Sequence, residues 1–346
     1  MEKKRVLIFG VNGFIGQHLL KHILGKTNWL VIGNDLANNS IRLFLRNPRF
    51  EFHRGNIRNE KLIKKLVSKC DVVVPLAGIA TPKVYITDPL RVYEIDFEAN
   101  LFIVRLCAKL KKRIIWPSTS EVYGMSTDTE FHPETSNLVM GPIVKMRWIY
   151  AASKQLMDRI IFAYGRDKGL DFTIFRPFNW IGYGQDNIHD TNGNPRVITQ
   201  FLGNILRGEN MRLVDGGSNR RSFTHIDDGI GALIKIIENR KNISSGKIYN
   251  IGNPKNNHSI RNLAESILKM APKYKFFRDR AKNVSIVGIT SKKHYGEGYE
   301  DILNRTPYIK NTMKDLGWKP KISLAEGLKL TFAGYVEQIQ KEKRVS

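Results

Sequence analysis

The chain has 346 residues, 42% of them hydrophobic, 25% charged and 10% aromatic, which excludes a disordered or fibrous protein and allows a large buried core. That length suits one main domain with a smaller partner. The formal net charge of +24 would draw polyanions, but the basic residues are scattered, runs such as Lys111–Arg113 and Lys292–Lys293 are short, and no nucleic-acid signature accompanies them, so a nucleic-acid partner is not expected.

The opening stretch turns glycine-rich too early for a secretion signal, and no apolar run reaches the roughly 20 residues a bilayer span needs. Arg5–Gly10 reads as a buried strand, Gly16–Leu24 as a helix and Trp29–Asp35 as a second strand. Val72–Leu76 is a short apolar run. Pro89–Lys111, with Leu, Val, Phe and Ile at spacings of three and four, predicts a helix. Arg113–Pro117 predicts a strand, Trp148–Gly165 a long helix and Phe172–Pro177 a further strand. Such alternation means parallel strands joined by crossover helices, an α/β doubly wound sheet.

After Asn179 the texture changes. Gly182–Asn194 reads as a loop, followed by helices at Val197–Arg207, Asp227–Glu238 and Ile260–Met270. Gly246–Gly252 has the pattern of a strand able to return to the main sheet, and Ser323–Lys341 that of an amphipathic helix. The expected division is a nucleotide-binding domain over 1–180 and a mainly substrate-binding domain over 181–346, with 222–252 rejoining the main sheet. Cys70 and Cys107 suggest no disulfide framework, which fits a reducing cytoplasm. No metal site is expected.

Three stretches carry chemistry. Gly10, Gly13 and Gly16 lie between the first strand and the first helix, where they permit a tight turn, close approach of backbone to a pyrophosphate, and packing of helix on strand. The helix N-terminus then offers N–H groups and partial positive charge to the phosphates. Asp35 ends the second strand, where a carboxylate accepts from ribose hydroxyls and repels a 2′-phosphate; NAD is therefore favoured over NADP. Tyr150 and Lys154 stand one helical turn apart, on one face. A free phenol titrates near ~10, and a neighbouring ammonium would favour the phenolate that a general base requires. Such pairs recur by chance. This one gains weight from Ser118, Thr119 and Ser120 at the C-terminal end of a strand, whose hydroxyls could share a proton with the tyrosine and a substrate hydroxyl.

The glycine spacing, one residue wider than the usual dinucleotide fingerprint, resembles the short-chain dehydrogenase superfamily with its Rossmann fold. Its extended members place an Asp-Ile or Asp-Leu pair against the adenine. The matching pair here is Asn56-Ile57, whose amide can still bond the adenine edge. Five further stretches, Ser118–Gly124, Arg147–Tyr150, Arg176–Trp180, Leu213–Gly217 and Tyr295–Tyr299, resemble the UDP-glucuronate decarboxylases. Those include the dehydrogenase domain of the bacterial bifunctional lipid A–modifying (lipopolysaccharide-modifying) enzyme, the UDP-4-keto-pentose/UDP-xylose synthases and the plant UDP-apiose/UDP-xylose synthases. The separate formyltransferase domain of the bifunctional enzyme is expected to be absent, since Met1 stands just before the phosphate loop.

The resemblance implies NAD-dependent oxidation at C4 of UDP-glucuronate with Tyr150, Lys154 and Ser120 in the catalytic set, followed by loss of carbon dioxide. It further implies Glu121 as proton acceptor and Arg305 as proton donor. A guanidinium is a weak acid, so Arg305 is also expected to hold the substrate carboxylate and steady the enolate. For the nucleotide sugar it points to Ala80, Tyr85, Thr119, Arg147, Asn179, Arg196, Arg212, Arg221 and Tyr299. Two residues depart from the pattern: Met146 and Tyr183 stand where proline is usual. The resemblance also implies a homodimer, paired through Pro89–Lys111 and Trp148–Gly165. Release of the 4-ketone or its reduction to UDP-xylose stays open. So do a 4-epimerase or dehydratase on the same scaffold, and a basic protein that only senses NAD.

Overall fold

The computed structural model describes residues 2–191, 195–297, 300–302 and 304–345. Seven strands form the central sheet: β1 (Arg5–Phe9), β2 (Leu30–Asp35), β3 (Phe50–Arg54), β4 (Val72–Pro75), β5 (Arg113–Pro117), β6 (Phe172–Pro177) and β7 (Lys247–Ile251). They run parallel in the order β7-β6-β5-β4-β1-β2-β3. The inner strands are apolar almost end to end because helices cover both faces. On one face Val6, Ile8, Val31 and Val74 pack with Leu20 and Ile23 of the helix Phe14–Lys26 and with Leu233 of Ile226–Glu238. On the other, Leu7, Ile32, Val73 and Ile114 meet Ile63, Ile103, Val104 and Met157. The chain reverses direction across the sheet between β1 and β4, and crevices at such switch points lie beyond the strands' carboxyl ends, where ligands bind.

The stretch expected as one helix from Pro89 is three. An α-helix at Pro89–Tyr93 leads into a π-helical turn over Glu94–Ala99, and α-helix resumes at Asn100–Lys109. A π turn accommodates an extra residue within a continuous helix. It carries Asp96, which is buried.

A third core gathers Phe201, Leu202, Leu263, Ile267, Leu328 and Phe332 from the helices Val197–Arg207, Ile260–Met270 and Leu324–Val345. Beside it, the strand Arg220–Ser222 lies between antiparallel Asn257–Ser259 and parallel Asn304–Arg305. That register sets Arg305 directly beside Arg221.

Candidate active site

At the carboxyl end of β1 the backbone closes into a cradle. Gly10 adopts φ +76°, and a Cβ there would lie 2.7 Å from the Ala77 amide nitrogen; one on Gly16 would lie 2.7 Å from Val11 Cα. Only glycine fits either place. Gly13 precedes the helix without a side-chain cap, and the first turn holds no acidic residue. Its orphan N–H groups are suited to a phosphate. The Asp35 carboxylate accepts from the Asn12 amide at 2.9 Å and from Leu36 at 2.7 Å, which fixes it against the glycine loop. Asn12 in turn ties the loop to Asn39 and Ser40. Asn56 accepts the Arg58 amide at 2.9 Å, and Ile57 beside it is buried. The set fits a dinucleotide.

Tyr150 and Lys154 are both buried on the helix Trp148–Lys168. The Tyr150 ring stacks on Tyr85, with centroids 4.6 Å apart and planes 8° from parallel, and its hydroxyl bonds the Thr119 side chain. Of the three adjacent hydroxyls, Thr119 is the one joined to the phenol. Ser118 instead donates to Asp158 at 2.7 Å, a carboxylate that also takes Trp116 Nε1 and Arg176. Ser118 is therefore a structural residue, contrary to expectation. Ser120 opens the buried 3-10 turn Ser120–Tyr123.

Lys154 finds its direct partners away from the Tyr150 ring. Its Nζ donates to the Pro117 carbonyl at 3.1 Å and pairs with Asp96 at 3.3 Å, while it stands 5.9 Å from the Tyr150 ring centre. The second Asp96 oxygen accepts the Ile79 amide at 2.8 Å. Asp96 thus neutralises the ammonium. Burial, then Asp96 and Glu121, push the Tyr150 phenol well above its ordinary range, against the opposing pull of the Thr119 hydrogen bond and Arg196.

Next to the phenol runs a row of alternating charges. Arg147 donates to Glu121 at 3.1 Å, Glu121 lies 3.5 Å from Arg305, Arg305 lies 3.6 Å from Asp301, and Asp301 accepts from Arg221 at 2.7 Å. The three arginines are buried. Three guanidiniums against two carboxylates leave one positive charge unbalanced, and so much buried charge calls for an anion. Arg305 Nε and Asn179 Nδ2 are buried with no hydrogen-bond partner among the described residues. Asn179 also holds the left-handed φ of +42°. Buried donors left unpaired cost about 1–3 kcal/mol each, so a ligand's oxygens would complete the site.

Ala80 is exposed in the loop after β4. The Arg196 guanidinium is held by Asp186 and Gln185, 5.7 Å from the Phe14 ring centre. Arg212 stands apart from the buried row, exposed on the strand Met211–Val214, where its charge is felt by Glu209 and His294. Tyr299 lies outside the described residues. Asp96, Asp158 and Asp301 were missed in the sequence. For Asp301 the four-residue spacing to Arg305 was a usable signal.

Residues 6–252 match the NAD dependent epimerase/dehydratase family, and the chain belongs to that family. Its cofactor is NAD, in keeping with the glycine cradle and Asp35. Among solved structures, the PbgP3 protein from Burkholderia pseudomallei is 50% identical, with a TM-score of 0.89 over 98% of both chains. The UDP-glucuronic acid 4-epimerase from Bacillus cereus, solved with UDP-glucuronic acid and NAD, is 23% identical with a TM-score of 0.80, covering 97% of this chain and 99% of that one. The dTDP-glucose 4,6-dehydratase from Bacillus anthracis, in complex with NAD, is 21% identical with a TM-score of 0.79 over 97% and 98%. The two more distant likenesses share the fold.

Proposed function

We propose that the protein carries out NAD-dependent oxidative decarboxylation of UDP-glucuronate to the UDP-4-keto-pentose. The observation that carries this reading is the buried row Arg147–Glu121–Arg305–Asp301–Arg221 beside Tyr150, which has one positive charge to spare for a sugar carboxylate. A neutral hexose would make no use of it. Solved relatives bound to UDP-glucuronic acid, UDP-glucose and NAD support the substrate class.

Gly10, Gly13, Gly16, Asp35, Asn56 and Ile57 would hold NAD, which supplies the acceptor for the hydride leaving sugar C4. Tyr150 takes the C4 hydroxyl proton, and Thr119 shares that hydrogen bond. Lys154, anchored by Pro117 and Asp96, orients the ribose side of the cofactor. The ketone lies β to the carboxylate, so the bond from C5 to the carboxyl carbon breaks, carbon dioxide leaves, and the electron pair is held as an enolate. Arg305 balances that charge. Protonation at C5 completes the product, with Glu121 and Arg305 managing the proton. Residues 181–346 would mainly build the substrate lobe, with Asn179, Arg196, Arg212 and Tyr299 around the diphosphate and uracil, Arg221 beside Arg305 toward the sugar, and Ala80 and Tyr85 closing it from the other side.

We also infer a homodimer. Leu90, Leu156 and Phe162 on the two helical stretches expected to pair are exposed, an apolar surface that a second copy would cover. The two cysteines are free and buried, which suits a reducing compartment.

Incubation with UDP-glucuronate and NAD⁺ tests the activity by sugar-nucleotide mass and NADH absorbance. Loss of carbon dioxide with accumulating NADH supports ketone release, and loss without NADH supports reduction to UDP-xylose. An unchanged mass overturns decarboxylation and favours epimerisation.

A further inference from the structure

Arg305 and Arg221 are register partners on adjacent parallel strands, both buried. Two guanidiniums side by side repel, the more so out of water. Burial and then Arg221 press Arg305 toward its neutral form, while Glu121 and Asp301 oppose them. Asp301 occupies the place that resolves the conflict. One of its oxygens, Oδ1, lies 2.7 Å from Arg221 and 3.6 Å from Arg305, and also accepts the Ile302 amide at 2.8 Å. Burial would raise the Asp301 carboxyl, but Arg221, Arg305 and Arg147 outweigh it and hold the group below its ordinary range. Arg221 is fixed further by donating to the Ile302 carbonyl at 2.7 Å, and the Arg305 carbonyl by Ser222 at 3.0 Å. Asp301 is the carboxylate that lies within ion-pair distance of both guanidiniums.

We propose that Asp301 is the positioning residue that holds Arg221 and Arg305 side by side, and that this pairing selects a nucleotide sugar bearing a second anion, a uronate, over its neutral hexose counterpart. The proposal rests on the uronate reading above. Asp301 itself need not touch the substrate. A carboxylate held by two arginines would instead repel an anion if it stood alone, so its benefit comes only through the guanidiniums it aligns. Replacing it by asparagine raises the local positive charge, yet selectivity should fall. A purely electrostatic account predicts the opposite sign.

The test measures calorimetric affinities of the full chain loaded with NADH, which accepts no hydride, for UDP-glucuronate and UDP-glucose, and separately the turnover of UDP-glucuronate with NAD⁺. Wild type should prefer the uronate by about tenfold or more, a difference of about 1.4 kcal/mol. In Asp301→Asn that ratio should drop below about threefold, with UDP-glucose affinity within about threefold of wild type and kcat reduced about tenfold. An unchanged ratio overturns the proposal, as does equal weakening of both ligands, which marks a structural role. If Asp301→Asn does not fold, Asp301→Glu carries the test: its charge is kept but its reach is longer, so a ratio lowered about threefold is expected and an unchanged one overturns the idea. A wild type without uronate preference or turnover would sink the proposed function itself. A selective wild type with an equally selective variant sinks only the role of Asp301.

Discussion

The Asp96 carboxylate lies 3.3 Å from the Lys154 ammonium, with both groups buried and the ammonium 5.9 Å from the Tyr150 ring centre. The pair holds Lys154 in place. Asp96→Asn should leave the ammonium without its counter-ion, destabilising the fold by about 3–5 kcal/mol. It should also remove an anion that raises the Tyr150 phenol, so the pH dependence of the proposed oxidation should move to lower pH. Thermal melts and a pH–rate profile check both. A lower melting point with an unmoved profile would confine Asp96 to a structural part.

Tyr150→Phe keeps the ring that stacks on Tyr85 and removes only the hydroxyl bonded to Thr119. The variant should fold with unchanged melting temperature and lose about 10²- to 10⁴-fold in kcat, the range of a general base. NADH absorbance under single-turnover conditions measures it. Oxidation at the wild-type rate would remove Tyr150 from the chemistry.

Asp35→Ala deletes the carboxylate at the end of β2 and the acceptor of the Asn12 amide. NAD affinity should fall about ten- to a hundredfold, as expected for lost charge-assisted hydrogen bonds. The penalty against NADP should shrink with it. Titration of both cofactors by fluorescence reads the change, and an unaltered preference would place the ribose elsewhere.

Acid should loosen the junction between the first helix and the helix Ile226–Glu238. His18 lies 3.0 Å from the Tyr183 carbonyl, and burial lowers its pKa from 6.5, against the Tyr183 bond and Asp227 and with help from Lys21. Burial likewise lowers His225, opposed by Asp227 and assisted by His18. Folded-state values below the unfolded one mean that the fold prefers neutral imidazole. That stability is fully present above about 6.5 and is lost as pH falls through the folded values. Melting temperature should therefore drop between pH 7 and pH 5 (working range for about one unit either side of a histidine), and His18→Gln should flatten the slope. Parallel wild-type and variant curves would discount this histidine.

Local pattern was enough to read the strands β1, β2, β4, β5 and β6, the glycine cradle and the Tyr150–Lys154 turn. Each depends on neighbours within a few residues: apolar runs buried on both faces, a strand-to-helix turn that only glycine permits, and one helical turn between phenol and ammonium. Glu121 and Arg305 became candidates through resemblance to a family. Other features were decided by the tertiary structure. The π turn that carries Asp96, the turning of Ser118 toward Asp158 and of Thr119 toward Tyr150, and the pairing of Arg305 with Arg221 all depend on which distant segments meet. Charge pairing in a desolvated interior depends on distances of a few ångströms across the fold, and linear spacing does not record them.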